Sequence, residues 1–392
     1  MSAAEARSQH AFQRTDRSAI ANWWWTIDHI LLGAAAALVG LGVLLQFGTS
    51  PAAAARLGLA SPFHFAVRQA LFAVGGFALM IVVSMLSARG VRRAAFFLFV
   101  AAIAAMVVLP MLGHSAKGAT RWVEIGGFSL QPSEFVKPAL VVLAAWMFAE
   151  AQKGSGVPGV SIAFALYGVT VALLLAEPDI GQTALVTVAF CAAFWMAGVP
   201  ISWIAVLAVL AVTGLCSTYF LFPHVTTRVD QFLNPEHTDT EQVRHALEAI
   251  AAGGAFGRGP GEGIMKRAVP DLHTDFAYSA AAEEYGLWFS LLLIALFALL
   301  VGRGLAKAMR LTDPFEQVAA ATLFVLVGMQ AFINVAVNLD LIPTKGMTLP
   351  FISYGGSSML AMGVTLGLAL ALTRRRPGAY ALDHLARAGA FA

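Results

Sequence analysis

Apolar stretches about as long as a membrane is thick recur along this chain, separated by short polar punctuation. A hydrocarbon core of about 30 Å is crossed by roughly 20 residues of helix. Segments near 27–47, 66–86, 94–113, 133–150 and 158–176 meet that length. Further segments lie near 183–197, 200–222, 280–302, 315–338 and 350–373, the first two of these joined almost directly through Gly198-Val199-Pro200. The pattern predicts an all-α integral membrane protein of about ten transmembrane helices, with a large extracytoplasmic loop, about 223–279, between helices seven and eight.

Inside that loop, Thr240 to Ala252 puts Val243, Leu247 and Ile250 on one stripe with charges elsewhere. This predicts a short amphipathic helix on the outer membrane surface. Gly253 to Gly263, GGAFGRGPGEG, holds too much glycine and proline for a helix and predicts a mobile or ligand-approaching loop. It is no dinucleotide fingerprint, because no strand precedes it. Residues 1–22 and 377–392 are read as cytoplasmic tails around a single membrane domain, 23–376.

Composition strengthens the membrane reading. The chain is 59 % hydrophobic and 12 % charged, against about 25 % charged in soluble domains. A net charge of +3 without a long basic tract argues against nucleic acid as a partner. Cys191 and Cys216 lie in apolar segments without metal-ligand spacing and read as packing thiols. Arg7, Arg14 and Arg17 precede a first apolar run too long for a signal-peptide core, so the first helix is expected to stay attached. With both termini in the cytoplasm, Arg89, Arg92, Arg93, Lys153, Arg303, Lys307, Arg310 and Arg374 to Arg376 fall on the positive inner side.

Ionisable groups at the mouths of membrane helices are costly, so they mark candidate chemistry, and four clusters fall on the expected outer side. In the first, Lys117 to Lys137, Pro132 suits a first helical turn, Glu134 meets the positive dipole end, and Lys137 shares its face. The pair reads equally as a snorkelling anchor or, with Arg121, as a contact for an anionic headgroup. The second, Glu177-Pro178-Asp179, reads as turn chemistry before it reads as a site. The third gathers Lys266, Arg267, Asp271, His273 and Asp275 ahead of Glu283 and Glu284. Thr274 is the expected N-cap, placing Asp275 in the first turn as a capping acid or as a base for a sugar hydroxyl. Of Glu283 and Glu284, one is expected to face a cavity and the other Lys266 or solvent. The fourth, Asn338 to Ser358, mixes prolines, glycines and hydroxyls, so an irregular backbone with Ser357 and Ser358 could bind phosphate, or Gly355 and Gly356 could serve close helix packing.

These pieces, in this order, resemble the SEDS family of peptidoglycan glycosyltransferases. Arg121-Trp122 with Gln131-Pro132-Ser133-Glu134 and Lys137 is similar to the family's RW…QPSExxK block, and Glu177 to Gly181 to its PDxG turn. Gly253-Gly254 through His273-Thr274-Asp275-Phe276 and Glu283-Glu284-Tyr285-Gly286 resembles GG…HTDF…EExG, and Leu349 to Ser358 resembles LPFxSYGGSS. The resemblance runs from about Thr26 to Arg376, and Pro343 to Gly346 looks more like the division branch than the elongation branch. Glu177 stands where the family often has glutamine, Ala246 where serine is frequent, and Glu236 where tryptophan is frequent.

The resemblance implies polymerisation of lipid II into glycan strands at the outer face of the bacterial cytoplasmic membrane, at the division septum. An elongation polymerase, a lipid II flippase or an inactive scaffold are the alternatives. It implies Asp275 as catalytic carboxylate, with Arg121, Glu134, Lys137, Asp179, Lys266, His273, Glu284, Lys345, Ser353, Ser357 and Ser358 supporting it or binding substrate. No cofactor is required by the sequence, although a divalent cation, Mg2+ or Mn2+, is compatible with a pyrophosphate substrate. The implied partners are lipid II, the growing strand, a class B penicillin-binding protein acting as transpeptidase, and other division proteins.

Overall fold

The computed structural model describes residues 18–112, 121–125, 128–154, 156–198, 241–265, 272–344 and 346–374, with scattered positions between 205 and 230. A short helix, α1 (Ala19–Thr26), precedes α2 (His29–Arg56), α3 (His64–Ser84) and α4 (Ala88–Leu112). Strands β1 (Val123–Ile125) and β2 (Phe128–Leu130) pair antiparallel, Val123 opposite Leu130. There follow α5 (Pro132–Gln152), α6 (Gly159–Ala176), α7 (Ile180–Met196), α8 (Glu241–Gly253), α9 (Ala277–Ala308), α10 (Pro314–Asn338) and α11 (Gly356–Thr373). By length and composition α2, α3, α4, α6, α9, α10 and α11 suffice to cross a membrane. The 17-residue α7 and the charged, buried α5 pack among them. The segment near 200–222 lies outside the described residues.

Capping chemistry sets several helix starts. Asp28 accepts from Ile30 N and Leu31 N, Asp179 from Gln182 N, and Asp313 from Glu316 N with Pro314 behind it. The core runs the length of the bundle, with α11 laid along α3, α4 against α5, and α10 between α9 and α11. Close approaches use glycine: a methyl group on Gly363 would strike the Gly76 carbonyl, so α3 and α11 meet backbone to backbone.

Four departures from the sequence reading have local causes. Helix α1 lies where a tail was expected to end, held by the Trp23 indole donating to Ser84 Oγ at 2.7 Å. The last helix begins at Gly356 instead of near 350, because the segment before it is irregular and includes Phe351 at φ 64°. Helix α8 exists, yet it packs on α9 through fully buried Ala246 and Ala249 while Leu247 is exposed. Val243 and Ile250 of the expected stripe do pack inward, half-buried, and small side chains are needed at the end of that face because Gly253 meets the Ala282 carbonyl too closely for any Cβ. The glycine-rich segment after it is a docked strap. Helix α9 breaks at Gly286 (φ 79°, ψ −172°), and the strap replaces lost helical bonds: Arg258 N and Gly259 N donate to the Glu283 and Glu284 carbonyls, and Leu287 N donates to the Gly254 carbonyl.

Candidate functional site

The first two sequence clusters meet at one end of the bundle, where α5 and α7 begin. Lys137 Nζ donates to Glu134 Oε2 at 2.9 Å and to Gln330 Oε1 at 3.0 Å, and Gln182 Nε2 donates to the other oxygen of Glu134. Lys137 is 1 % exposed, which overturns the snorkelling anchor: its ammonium is turned into the bundle, where a charge must be paired. Gln330 is oriented by donating to the Thr348 carbonyl at 3.2 Å, and Thr348 Oγ1 shares a 2.7 Å hydrogen bond with Ser358 Oγ. A polar chain therefore runs from α7 through α5 and α10 to the first turn of α11.

Arg121 closes over the second cluster. Its guanidinium donates to the Glu177 carbonyl at 2.7 Å and the Pro178 carbonyl at 2.6 Å and stands 3.7 Å from Asp179 Oδ2. The turn reading of Glu177-Pro178-Asp179 holds, with Asp179 as the cap of α7, and Arg121 joins that turn to the hairpin side of the chain. Among the described residues neither carboxylate oxygen of Glu177 meets a hydrogen-bond donor. Burial first, then the neighbouring Asp179 charge, push this carboxyl up to about 7 against the pull of Arg121. Burial raises Asp179 as well, with Arg121 opposing.

The third cluster centres on the turn 272–276. Helix α9 starts at Ala277 with Phe276 in the cap position, so Thr274 is not the N-cap and Asp275 lies just before the helix, not in its first turn. Asp275 is half-buried, and a methyl group on Gly346 (φ 60°) would sit 3.5 Å from its Oδ2. Its carbonyl accepts from Asn334 Nδ2 at 2.9 Å and Asn338 Nδ2 at 3.0 Å. The His273 carbonyl accepts from Gln46 Nε2 at 3.1 Å and Tyr354 N at 2.8 Å, and its ring packs between Phe65 and Tyr354. Lys266, Arg267, Asp271 and Lys345 lie outside the described residues.

Glu283 and Glu284 are both buried, so neither faces solvent, and Lys266, the other expected partner, lies outside the described residues. Glu283 Oε1 accepts from Ile264 N at 2.6 Å and Met265 N at 2.8 Å, anchoring the strap. Glu284 lies against α2 at Gly48, where any Cβ would collide with its carboxylate. In the fourth cluster Ser353 Oγ accepts from Leu349 N and the Ser353 carbonyl accepts from Gln69 Nε2, so this serine shapes its own turn. Ser357 is buried, and Gly356 is pressed on the Phe72 ring, which realises the close-packing alternative for that glycine.

Sequence reasoning missed the amides. Gln46, Gln69, Gln182, Gln330 and Asn334 are buried in apolar helices and carry much of the network, as does Asn338, noted there only as the start of a cluster. The available signal was spacing: Gln330, Asn334 and Asn338 recur every four residues, one polar stripe on an apolar helix.

A bundle of apolar, membrane-length helices whose buried amides gather at one end around the Glu134–Lys137 pair, with a half-buried carboxylate in a turn there, defines a polytopic membrane protein with a polar site at that mouth. Residues 28–377 match the cell cycle protein family that groups FtsW, RodA and SpoVE, and the chain belongs to that family. It is 68 % identical over 375 residues to a probable peptidoglycan glycosyltransferase FtsW of Caulobacter vibrioides, covering 96 % of each chain. It is 33 % identical over 359 residues to the corresponding FtsW of Coxiella burnetii, covering 88 % of this chain and 96 % of that one. Among solved structures it is similar to a chain from a peptidoglycan synthase complex coordinating polymerization and crosslinking, with TM-score 0.73 and 27 % identity over 88 % of this chain and 97 % of that one. It is also similar to the rod shape determining protein RodA of Thermus thermophilus, with TM-score 0.65 and 26 % identity over 89 % and 97 %.

Proposed function

We propose that this chain is a peptidoglycan glycosyltransferase of the FtsW type, polymerising lipid II into glycan strands at the outer face of the bacterial cytoplasmic membrane during septal wall synthesis. The observation that carries the reading is the contrast among acids at the polar mouth. Glu134, Glu283 and Glu284 are sealed in the packing, whereas Asp275 is half-buried beside Gly346 in a turn fixed through its main chain. A carboxylate that is partly exposed and positioned through its backbone can meet the proton of a substrate hydroxyl.

In the proposed reaction the 4-hydroxyl oxygen of the acceptor GlcNAc bonds to the anomeric carbon of the donor strand. The bond from that carbon to the polyprenyl pyrophosphate breaks with its electron pair, inverting the centre, and the hydroxyl proton passes to Asp275. Arg121, 29 % exposed at its side chain, is assigned to meet charge growing on the departing pyrophosphate, a role the family resemblance also gives to Lys266 and Lys345, which lie outside the described residues. Lys137 acts at one remove, by holding Glu134 and Gln330. Among the described residues no three His, Cys, Asp or Glu side chains converge as a metal set, so no step is assigned to a protein-held ion.

In this reading the polar mouth faces outward, both termini lie in the cytoplasm, and a class B penicillin-binding protein crosslinks the emerging strand. The decisive experiment is lipid II polymerisation by purified protein: Asp275→Asn, folded and inserted, is expected to make no glycan polymer. Polymerisation at the wild-type rate by that variant overturns the base assignment.

A further inference from the structure

Three amides line one face of α10, and the two nearest its end close on Asp275. Asn334 uses both Nδ2 hydrogens, one on the Asp275 carbonyl at 2.9 Å and one on the Met347 carbonyl at 2.6 Å. Asn338 Nδ2 donates to the same Asp275 carbonyl at 3.0 Å and to the Asn334 carbonyl at 2.9 Å. Its Oδ1 accepts from Ser279 N at 3.0 Å and Ser279 Oγ at 2.7 Å. All four amide hydrogens are thereby used, as two amides at 2 % and 0 % exposure require.

The Ser279 bond has a particular meaning. The first N–H groups of a helix need outside acceptors, and Phe276, in the cap position of α9, has no side-chain oxygen to offer. Asn338 caps α9 from a neighbouring helix instead. The two asparagines thus tie together the start of α9, the carbonyl of the residue carrying the candidate base, and the carbonyl beside Gly346, against which the Asp275 carboxylate lies. Ordinary packing of α9 on α10 needs none of this, since apolar contacts between them already run along the bundle.

We infer that Asn334 and Asn338 are positioning residues for glycosyl transfer, setting where the Asp275 carboxylate stands relative to the Gly346-Met347 segment. The inference rests on the reading of Asp275 as the base. Displacing a reacting group by about 1 Å is worth on the order of 100-fold in rate, and either amide is the kind of restraint whose loss permits that displacement.

The test uses full-length purified protein, lipid II as substrate, and kcat per folded molecule, with the folded fraction read from an unfolding curve. Asn334→Ala is expected to lower kcat by roughly 10-fold to 100-fold while KM stays at the wild-type value, and Asn338→Ala to do the same. Thr322→Val, which removes a buried hydroxyl of α10 that has no hydrogen-bond partner among the described residues, serves as the packing control and is expected to leave both constants unchanged. A merely structural role would lower the folded fraction and leave kcat per folded molecule alone. Wild-type kcat in both asparagine variants, with Asp275→Asn inactive, overturns the positioning role and leaves the base assignment standing. Wild-type kcat in Asp275→Asn removes the base assignment and this inference with it.

Discussion

Where α2 begins and α9 closes, one carboxylate answers two cations. Asp28 accepts from Arg303 at 2.9 and 2.8 Å, pairs with Lys307 at 2.8 Å, and caps α2 with the same side chain. The cations are 35 % and 20 % exposed, so water shares in their solvation. At the opposite mouth the ammonium of Lys137 and the carboxylate of Glu134 are sealed, amides replace water as partners, and Glu177 has two buried oxygens without donors among the described residues. One end is a charge clamp at an interface, and the other is a polar interior held in shape by neighbouring helices. Stability is gained simply at the first end, whereas the second retains buried polar groups whose arrangement, under the proposed function, serves the site.

The difference is largest for the sealed pair. Lys137→Met strands the Glu134 carboxylate beside a single amide donor, and breaking a buried ion pair from one side is worth about 3–5 kcal/mol. Thermal unfolding in detergent is expected to show that loss for Lys137→Met and most of it recovered in Lys137→Met/Glu134→Gln, where no lone charge remains. Equal destabilisation of single and double variants would mean that the two charges are not coupled, and the contrast between the ends would collapse.

Glu177 separates the ends by pH. Its carboxyl is raised from 4.5 to about 7 in the folded protein, so the folded state binds this proton more tightly than the unfolded chain. The associated stability is complete below pH 4.5, declines as pH rises through about 7, and is absent above it. The full swing is at most about 3 kcal/mol. Glu177→Gln, which keeps size and polarity without the titration, is expected to melt higher than the wild type at pH 8 and to lose that advantage toward pH 5. A difference independent of pH would show that the carboxylate is solvated when charged.

Parts of this contrast were legible in the sequence and parts were not, for physical reasons. Glu134 and Lys137 announce their pairing by three-residue spacing, and helix lengths follow from apolar runs matched to a bilayer. That Lys137 turns inward depends on Gln330, which is 193 positions away. The local chain offers Thr274 as the cap of α9, whereas the acceptor for Ser279 N is Asn338 from another helix. The strap after α8 reads as loose because glycine permits any conformation, and the carbonyls that hold it are exposed by a break at Gly286, itself a single residue in a run of helix formers. Long-range main-chain bonds leave no periodic trace, and the amides leave only the four-residue stripe of Gln330, Asn334 and Asn338, so the candidate site's charged groups are legible in the sequence and most of its scaffolding is not.

The smallest effect belongs to the clamp. Burial works against the ionised form of Asp28, but the hydrogen bonds from Arg303, Lys307 and Leu31 N override it and hold the carboxyl well below the usual range. A lowered folded value gives stability that is complete above the ordinary 3.8 and is lost only as pH falls toward the folded value. Across pH 5 to 8 the clamp is therefore flat, where Glu177 is steep. Asparagine caps a helix about as well as aspartate does, so Asp28→Asn removes the ion pairs and keeps the cap of α2. With both cations partly hydrated, the loss is expected to be about 1 kcal/mol, constant from pH 5 to 8 and reduced by added salt. A melting difference as large as that of Lys137→Met would place Arg303 and Lys307 out of reach of water and make the two ends alike.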